Sequence, residues 1–406
     1  MTLKRILLIS RCPPYPLYLG DRLILGNLAP ILAARNIEID LIAFTPPDPS
    51  MTPHEAYERD RANVSHYKWH FRSVTLLPEP TRTPLHYLHR LLPNQHFPKS
   101  AAQAWSSEMW NAIEQALATT NYDAVWLFGG VQVYEFAHLL TGQNTVITPY
   151  ESFALYLQRI QAKTPSFINW LRWQVAQHYE RFMFTPYKRV VVLAEADAKA
   201  LRQANPRLDV RVIPNGVHLA PVSSDTREVA TLLFTGNFEY LPNVEAALTL
   251  ANDILPKVQQ HFPEAKLWLV GNAPPLSLQA LRSEAITVTG YVDDLTPYLN
   301  RATVFVSPLT LGAGLKNKIL EAMAHGLPVV ATPLSVDGIA VEPYKHTIIG
   351  EVGQLGHITV MLLNNTNLQM RLSQQGRILV EQHYSWESVA EKYIHLFTKT
   401  ATNFDE

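Results

Sequence analysis

The sequence predicts a doubly wound α/β protein of two domains, each built on a parallel β-sheet. Its 406 residues exceed the usual length of a single domain. Short aliphatic runs alternate with longer helical patterns along the whole chain, which is typical of parallel strands covered by helices on both faces. The composition, 47% hydrophobic and 17% charged, is that of a globular chain able to bury two cores.

In the first half, runs rich in β-branched and aliphatic residues predict strands, and amphipathic patterns predict helices. The expected strands are 6–10, 39–44, 124–128 and 190–193, and the expected helices are 23–35, 101–119 and 168–185. Residues 51–98 are rich in Pro, His and Arg and lack a clear period, so long loops with short helices are expected there.

The second half repeats the alternation. The expected strands are 232–234, 267–270 and 303–307, and the expected helices are 243–262, 317–326 and 358–376. A turn sequence, Pro214-Asn215-Gly216, precedes a polar stretch and a fresh strand, so the linker is placed at about residues 215–230. We therefore expect an N-terminal domain of residues 1–215, a C-terminal domain of 216–385 and a terminal helix of 386–406.

Charge and cysteine content exclude several classes of function. The formal net charge of −1 provides no field to hold a nucleic acid. The single cysteine, Cys12, excludes an internal disulfide and fits a reducing compartment, so a cytoplasmic location is expected. The apolar run 6–9 is too short for a signal-peptide core, and no stretch approaches the ~20 apolar residues of a spanning helix. These observations do not exclude peripheral contact with the inner face of a membrane.

Three turns of the second half follow strands and carry small or hydrogen-bonding residues. They are Gly236-Asn237, Gly271-Asn272 and residues 308–318. Open α/β sheets bind ligands at the carboxyl ends of their strands. The three turns are therefore expected to line one crevice.

The third turn has the features of a diphosphate site. Gly312 and Gly314 would let backbone amides approach phosphate, Lys316 or Lys318 would neutralise its charge, and Glu321 would accept hydrogen bonds from a ribose. The alternative is a plain turn followed by solvated lysines and a surface glutamate. Spacing alone leaves the two interpretations open.

The segment Glu321-Ala322-Met323-Ala324, with Gly326 and Pro328-Val329-Val330 after it, resembles the donor domain of retaining glycosyltransferases of family 4, fold type GT-B. The branch serving polysaccharide and exopolysaccharide pathways is the most similar. The resemblance covers nearly all of residues 212–340, and Ser385-Trp386-Glu387 extends it. Supporting segments are Gly236-Asn237-Phe238, residues 242–246 and residues 290–295.

The resemblance implies two Rossmann-like domains that face each other across a cleft, the first on the acceptor side and the second binding the donor. The terminal helix would cross back to the first domain. A sugar would pass with retention from a nucleotide-diphosphate sugar to a glycan, lipid-linked or small-molecule acceptor, without metal or cofactor. Lys318 would stabilise the leaving diphosphate, Glu321 would anchor the ribose, and Tyr291 and Val292 would read the base. Rival functions are a nucleotide-sugar epimerase and a binding protein without transferase activity.

Two positions depart from the family pattern. Ala313 stands where the family has a first glutamate, so the backbone of Gly312, Ala313, Gly314 and Leu315 would hold the donor instead. The basic pair that commonly follows the first strand of the domain is absent, since Asn237 follows Gly236. Lys316 and Lys318 are the expected replacements. Lys318 is preferred because it lies three residues before Glu321, on the same side of a helix.

For residues in three further segments, the sequence allows more than one role. The resemblance gives Gly20 a place in a loop facing the donor, and Arg22 would either reach a phosphate or be an exposed first-turn charge. Asp293-Asp294 would cap a helix rather than bind metal. Gly129-Gly130 and Tyr150-Glu151-Ser152 are expected to face the acceptor, with Glu151 either its base or, more simply, a helix-capping acid.

Residues 167–189 mix aromatic and basic side chains, as an interfacial helix on a membrane does. The simpler interpretation is a helix that faces the core, because Val175 and Phe182 are seven residues apart and fit a buried stripe. The sequence favours the core-facing helix.

Overall fold

The computed structural model describes residues 3–16, 20–48, 51–81, 97–219, 227–312 and 315–398. These residues form two compact units. The first contains the described residues of Met1–Pro214 together with those of Val389–Glu406, and the second contains those of Asn215–Ser388.

The first unit is built on a seven-stranded parallel sheet with the order β3-β2-β1-β4-β5-β6-β7. Strands β1, β4 and β6 are buried along almost their whole length, as expected where helices cover both faces of a sheet. The strands are β1 (Arg5–Ser10), β2 (Glu38–Thr45), β3 (Ser73–Pro78), β4 (Ala124–Phe128), β5 (Thr145–Tyr150), β6 (Arg189–Val192) and β7 (Val210–Val212). The helices are α1 (Gly20–Ala34), α2 (Pro53–Ala62), α3 (Ser107–Thr119), α4 (Phe153–Lys163), α5 (Phe167–Met183) and α6 (Glu195–Ala204).

The second unit has a six-stranded parallel sheet with the order β10-β9-β8-β11-β12-β13. Its strands are β8 (Thr231–Thr235), β9 (Lys266–Val270), β10 (Ile286–Val288), β11 (Val304–Ser307), β12 (Val329–Ala331) and β13 (Ile348–Ile349). Its helices are α7 (Leu241–Thr249), α8 (Leu255–Gln259), α9 (Leu276–Gln279), α10 (Thr296–Arg301), α11 (Asn317–Ala324), α12 (Leu355–Leu363) and α13 (Thr366–His383).

The last described helix, α14 (Trp386–Thr398), carries aromatic residues into the first core. The ring of Trp126 on β4 lies 4.9 Å from that of Tyr393 and 5.3 Å from that of Phe397, measured between centroids. The indole N–H of Trp126 donates to Thr148 Oγ1 at 2.9 Å, so this buried aromatic group has a polar partner.

Several element boundaries differ from the expectations for local reasons. The helix expected over 101–119 begins only at Ser107, because the Ser106 hydroxyl accepts from Met109 N and caps it. The helix expected over 358–376 is two helices, since Asn365 caps the second. The helix expected over 243–262 is interrupted by a π-turn, Leu250–Ile254, just before Pro256. Residues 51–98 contain strand β3, where only loops and short helices were expected.

The favoured orientation of α5 is wrong. Val175 is 38% exposed and Phe182 is 36% exposed, whereas the buried residues of this helix are Ala176, Glu180 and Met183. Spacing by seven does place Val175 and Phe182 on one face, but that face is turned to solvent. Within the described ranges, no helix combines the length and apolar content needed to cross a bilayer.

Candidate functional site

The carboxyl end of the second sheet brings two of the three expected turns together. Strand β8 neighbours both β9 and β11, so the chain reverses its winding direction between β8 and β11. Such a switch point leaves a crevice outside the strand ends. Gly236 follows β8, Gly271 follows β9, and residues 308–312 follow β11.

Gly271 packs against Gly236 with no space for a side chain. Its φ is +151°, and a Cβ there would lie 1.8 Å from the Gly236 carbonyl oxygen. Gly236 N donates to Val270 O at 3.0 Å, and Phe238 N donates to Asn272 O at 2.9 Å. Glycine is therefore required at position 271 for the two turns to meet.

Lys318 of α11 points into these turns. Its Nζ donates to Asn243 Oδ1 at 2.7 Å and lies 4.2 Å from the centroid of the Phe234 ring. A Cβ on Gly236 would lie 3.0 Å from the same nitrogen. Asn243 Nδ2 in turn donates to Asn237 O at 2.7 Å, so one amide links the lysine to the first turn. The sequence motif contains Asn243, but its role was missed.

Burial changes the ionisation of this cluster. It lowers the pKa of Lys318 to about 7, while the neighbouring Glu321 carboxylate acts in the opposite direction and Lys316 lowers it further. Burial also raises the pKa of Glu321, and Lys318 opposes that shift. Lys316 is only 8% exposed. The interpretation of these lysines as a solvated face is wrong, and Glu321 is a half-buried residue rather than a surface one.

The start of α11 lies beside this cluster. The N-cap position of the helix is Lys316, whose side chain does not cap it. An uncapped helix start offers backbone N–H groups and a positive dipole end to an anion. Gly312 has φ +127°, and a Cβ there would lie 3.2 Å from Tyr240 Oη and 3.8 Å from Lys316 Cε. Leu315 packs against the hydrophobic core, and Ala313 and Gly314 lie outside the described residues.

The expected base-reading residues follow the edge strand β10, two strands away from β8. Tyr291 is 68% exposed, and Val292 packs against the core. Asp294 Oδ1 accepts from Thr296 N at 2.8 Å at the start of α10, as expected of a capping acid. No group of three or more His, Cys, Asp or Glu side chains suited to a metal ion occurs in the described part of the chain.

In the first unit, Gly20 begins α1 and Arg22 lies in its first turn. Arg22 is 2% exposed and forms an ion pair of 3.3 Å with Asp60, which is fully buried. Its guanidinium also donates to the Tyr15 carbonyl. The interpretation of Arg22 as an exposed charge is therefore wrong, and its reach toward a phosphate stays a prediction.

A cavity of about 650 Å³ opens at the carboxyl ends of the first sheet. It brings together two segments expected to face the acceptor, since Gly130 follows β4 and Tyr150-Glu151 ends β5. Its wall is mostly apolar, with a few charged groups. Arg11, Tyr179 and Glu180 also line it, as do Phe153, Leu171 and Val175.

Glu151 lies at this cavity without a capping role. The α4 cap is Ser152, whose hydroxyl accepts from Leu155 N at 3.1 Å, so the capping interpretation of Glu151 is wrong. Desolvation raises the pKa of Glu151, and the negative charge of Asp197 adds to the rise. Tyr150 just before it has φ +68°, a strained value for a tyrosine.

Glu180, which holds the start of α4, was not predicted from the sequence. Its Oε2 accepts from Ser152 Oγ at 2.9 Å and its Oε1 from Ala154 N at 3.2 Å. Ser152 N donates to Asp197 Oδ1 at 2.9 Å. Burial raises the pKa of Glu180 to about 7, although these hydrogen bonds oppose the shift. A glutamate on the buried side of a helix would have indicated this role. The sequence alone does not show which side of α5 is buried.

Comparison with known families assigns both halves of the chain. Residues 24–220 match the family model described as "Glycosyltransferase Family 4", and residues 229–354 match the model "Glycosyl transferases group 1". Among curated proteins, the chain is similar to a phosphatidyl-myo-inositol mannosyltransferase of Mycobacterium tuberculosis. The two are 30% identical over 218 residues, which cover 48% of this chain and 55% of the relative. The chain thus spans about half the length of the curated relatives it matches.

Solved structures share the fold at low identity. A sucrose-phosphate synthase from Thermosynechococcus elongatus superposes with a TM-score of 0.64 at 20% identity, covering 97% of this chain and 98% of that one. The Anabaena protein HepE, solved in complex with UDP and glucose, gives a TM-score of 0.61 at 15% identity, covering 97% and 98%. The expected fold class is confirmed, with two parallel-sheet α/β domains of the GT-B type.

Proposed function

This chain belongs to glycosyltransferase family 4, and from that membership we propose that it transfers a sugar from a nucleotide-diphosphate sugar to an acceptor hydroxyl. The observation that carries the proposal is the cluster of Lys318, Asn243, Gly236 and Gly271 at the switch point of the second sheet. A buried ammonium beside an uncapped helix start is suited to a diphosphate.

In the proposed reaction, the acceptor oxygen bonds to the anomeric carbon of the donor while the bond from that carbon to the diphosphate breaks. The acceptor proton passes to the departing phosphate or to Glu151, and the anomeric configuration is retained. Lys318 and the start of α11 stabilise the negative charge that develops on the diphosphate. Glu321 accepts hydrogen bonds from the ribose.

The acceptor is assigned to the cavity of the first unit, whose wall contains Gly130, Glu151 and Glu180. Desolvation and the negative charge of Asp197 raise the pKa of Glu151, so its carboxylate is a better proton acceptor than an ordinary glutamate. The mycobacterial relative, named for mannosyl transfer to phosphatidyl-myo-inositol, supports a hexose as the transferred unit. The Anabaena neighbour described with UDP and glucose supports a nucleotide donor.

Nucleotide binding tests the proposal. A thermal-shift series with UDP, GDP and ADP should show stabilisation by about 2.7 kcal/mol at 100 times the dissociation constant of the preferred nucleotide. Glu321→Ala should abolish the shift, whereas Glu264→Ala, at an exposed position of the same unit, should retain it. If no nucleoside diphosphate shifts the melting temperature, the donor site is wrong.

The products distinguish the rival functions. Release of nucleoside diphosphate that depends on an added acceptor supports the transferase. Conversion of the nucleotide sugar to an isomer without release would indicate an epimerase. Binding with neither reaction, over a broad panel of glycan and lipid-linked acceptors, would indicate a nucleotide-sugar-binding protein.

A further inference from the structure

Helix α5 carries an apolar stripe on its solvent side. The stripe consists of Phe167, Leu171, Val175 and Phe182, which are 74%, 47%, 38% and 36% exposed. Steps of four and seven residues place these side chains along one face of a helix. The side chains lie in a row on the surface of the first unit. A contiguous exposed apolar patch on a globular protein commonly marks an interaction site.

The buried residues of α5 lie on the face away from this stripe. Helices α4 and α5 pack against each other through a small core of their own, in which Ala154, Leu157 and Ala176 are buried and Ile160 and Trp173 are partly buried. Glu180 and Met183, on the same face of α5 as Ala176, are also buried. The contacts that fix α5 within the unit are thus made by the opposite face, and the stripe remains on the outside.

The exposed apolar surface continues onto α4 and to the cavity. Phe153 and Tyr156 are 53% and 43% exposed, with ring centroids 6.0 Å apart. Phe153, Leu171 and Val175 also line the 650 Å³ cavity. One edge of the apolar surface is therefore a wall of the cavity.

The segment that carries the stripe is positively charged, although the whole chain has a net charge of −1. Residues 153–188 contain five basic side chains and one acid, Glu180, which is 4% exposed. At about 100° per residue, Arg172 and Arg181 fall on opposite flanks of the stripe. The basic residues of this segment are Arg159, Lys163, Arg172, Arg181 and Lys188.

We propose that the α4–α5 surface docks on an anionic lipid bilayer. The stripe would enter the boundary between headgroups and acyl chains, while the basic residues at its flanks contact the phosphates. A second copy of the chain fits this surface less well. A two-fold contact would place the same patch against itself, with Arg172 and Arg181 facing like charges.

Vesicle co-sedimentation of the full chain tests the proposal. The protein should sediment with phosphatidylcholine vesicles that contain about a third phosphatidylglycerol, and less with phosphatidylcholine alone. Phe167→Ser combined with Phe182→Ser should weaken binding to the anionic vesicles by about tenfold or more. Lys163→Glu combined with Arg181→Glu should weaken it similarly and reduce its sensitivity to salt.

The matched control is Val229→Ser combined with Leu276→Ser. These apolar residues of the second unit are 71% and 81% exposed, and their loss should leave vesicle binding unchanged. Melting temperatures verify the folding of each variant. If the stripe variant fails to fold, the charge-reversal variant still probes the same surface.

Absence of binding to anionic vesicles, or equal binding by the wild type and both surface variants, would overturn the proposal. A dimer in light scattering that the stripe variant converts to a monomer would assign the surface to a second copy instead. Vesicle binding requires neither nucleotide nor transfer. Its failure is therefore distinguishable from failure of the proposed transferase function.

Discussion

Lys318 and Asn243 form a hydrogen bond of 2.7 Å between the lysine ammonium and the amide oxygen, beneath the first turn of the second sheet. The same amide donates to Asn237 O, so it cannot rotate without losing one of its two bonds. The ammonium is thereby held at a fixed point beside Gly236. Burial keeps its pKa near 7, and an arriving diphosphate would favour the charged form.

Replacing Lys318 by Met should separate function from stability. Loss of the charged donor should weaken nucleoside diphosphate binding by about tenfold to a hundredfold. The unfolding free energy near pH 7 should change by less than about 2 kcal/mol, because removing a buried charge offsets the loss of the hydrogen bond to Asn243. Calorimetric titration and thermal melting measure the two effects. Lys266→Met, at an exposed position on β9, should change neither.

The affinity for nucleoside diphosphate should depend on pH through Lys318. Below about pH 7 the free protein already carries the ammonium, whereas above it binding must take up a proton. Affinity should therefore fall as pH rises, by up to about tenfold per pH unit. The ratio of wild-type to Lys318→Met affinity removes the titration of the nucleotide itself. A ratio constant from pH 6 to 9 would contradict this role of Lys318.

Gly271→Ala should destabilise the second unit by about 2–4 kcal/mol, because the added Cβ would overlap the Gly236 carbonyl oxygen and φ is +151°. Nucleotide binding should weaken as well, since the two turns would separate. Denaturant unfolding and nucleotide titration provide the measurements. Gly290→Ala is the control, because a Cβ added there would meet no atom within 4 Å beyond its chain neighbours. Equal stability of the two variants would argue against the close approach.

Glu180 should make stability depend on pH. Its pKa rises from 4.5 in the unfolded chain to about 7 in the native protein, so the native state binds more protons between these values. Its contribution is therefore greatest below about pH 4.5 and is lost as pH rises to about 7.

Glu180→Gln should consequently gain stability relative to the wild type across that interval, by at most about 1.4 kcal/mol per pH unit. Denaturant titrations at several pH values measure the difference. Glu114→Gln, at an exposed position on α3, should show no such trend. A difference between Glu180→Gln and wild type that does not change with pH would show that the native carboxyl keeps its ordinary pKa.

The fold class was predictable from the sequence because it depends on local patterns. Apolar runs of four to six residues identify buried parallel strands, and the glycines that follow them identify turns at the strand ends. The resemblance around Glu321 led to the family that the comparisons confirm. Helix ends were less predictable, since Ser106 and Asn365 cap through single hydroxyl and amide groups.

Long-range partners could not be predicted. Arg22 and Asp60 are 38 residues apart, and nothing in the sequence pairs them. The link from Lys318 through Asn243 joins groups 75 residues apart. Such contacts arise only when the crossovers bring separate strand ends to one edge of a sheet.

The sequence by itself determined the alternation of strands and helices, the glycine turns and the family. Only the tertiary structure decided that α5 turns its apolar stripe to solvent and that Glu180 is buried under α4. A helical period reveals that apolar residues share a face. Which face meets the protein depends on the packing of neighbouring elements, here the separate core between α4 and α5.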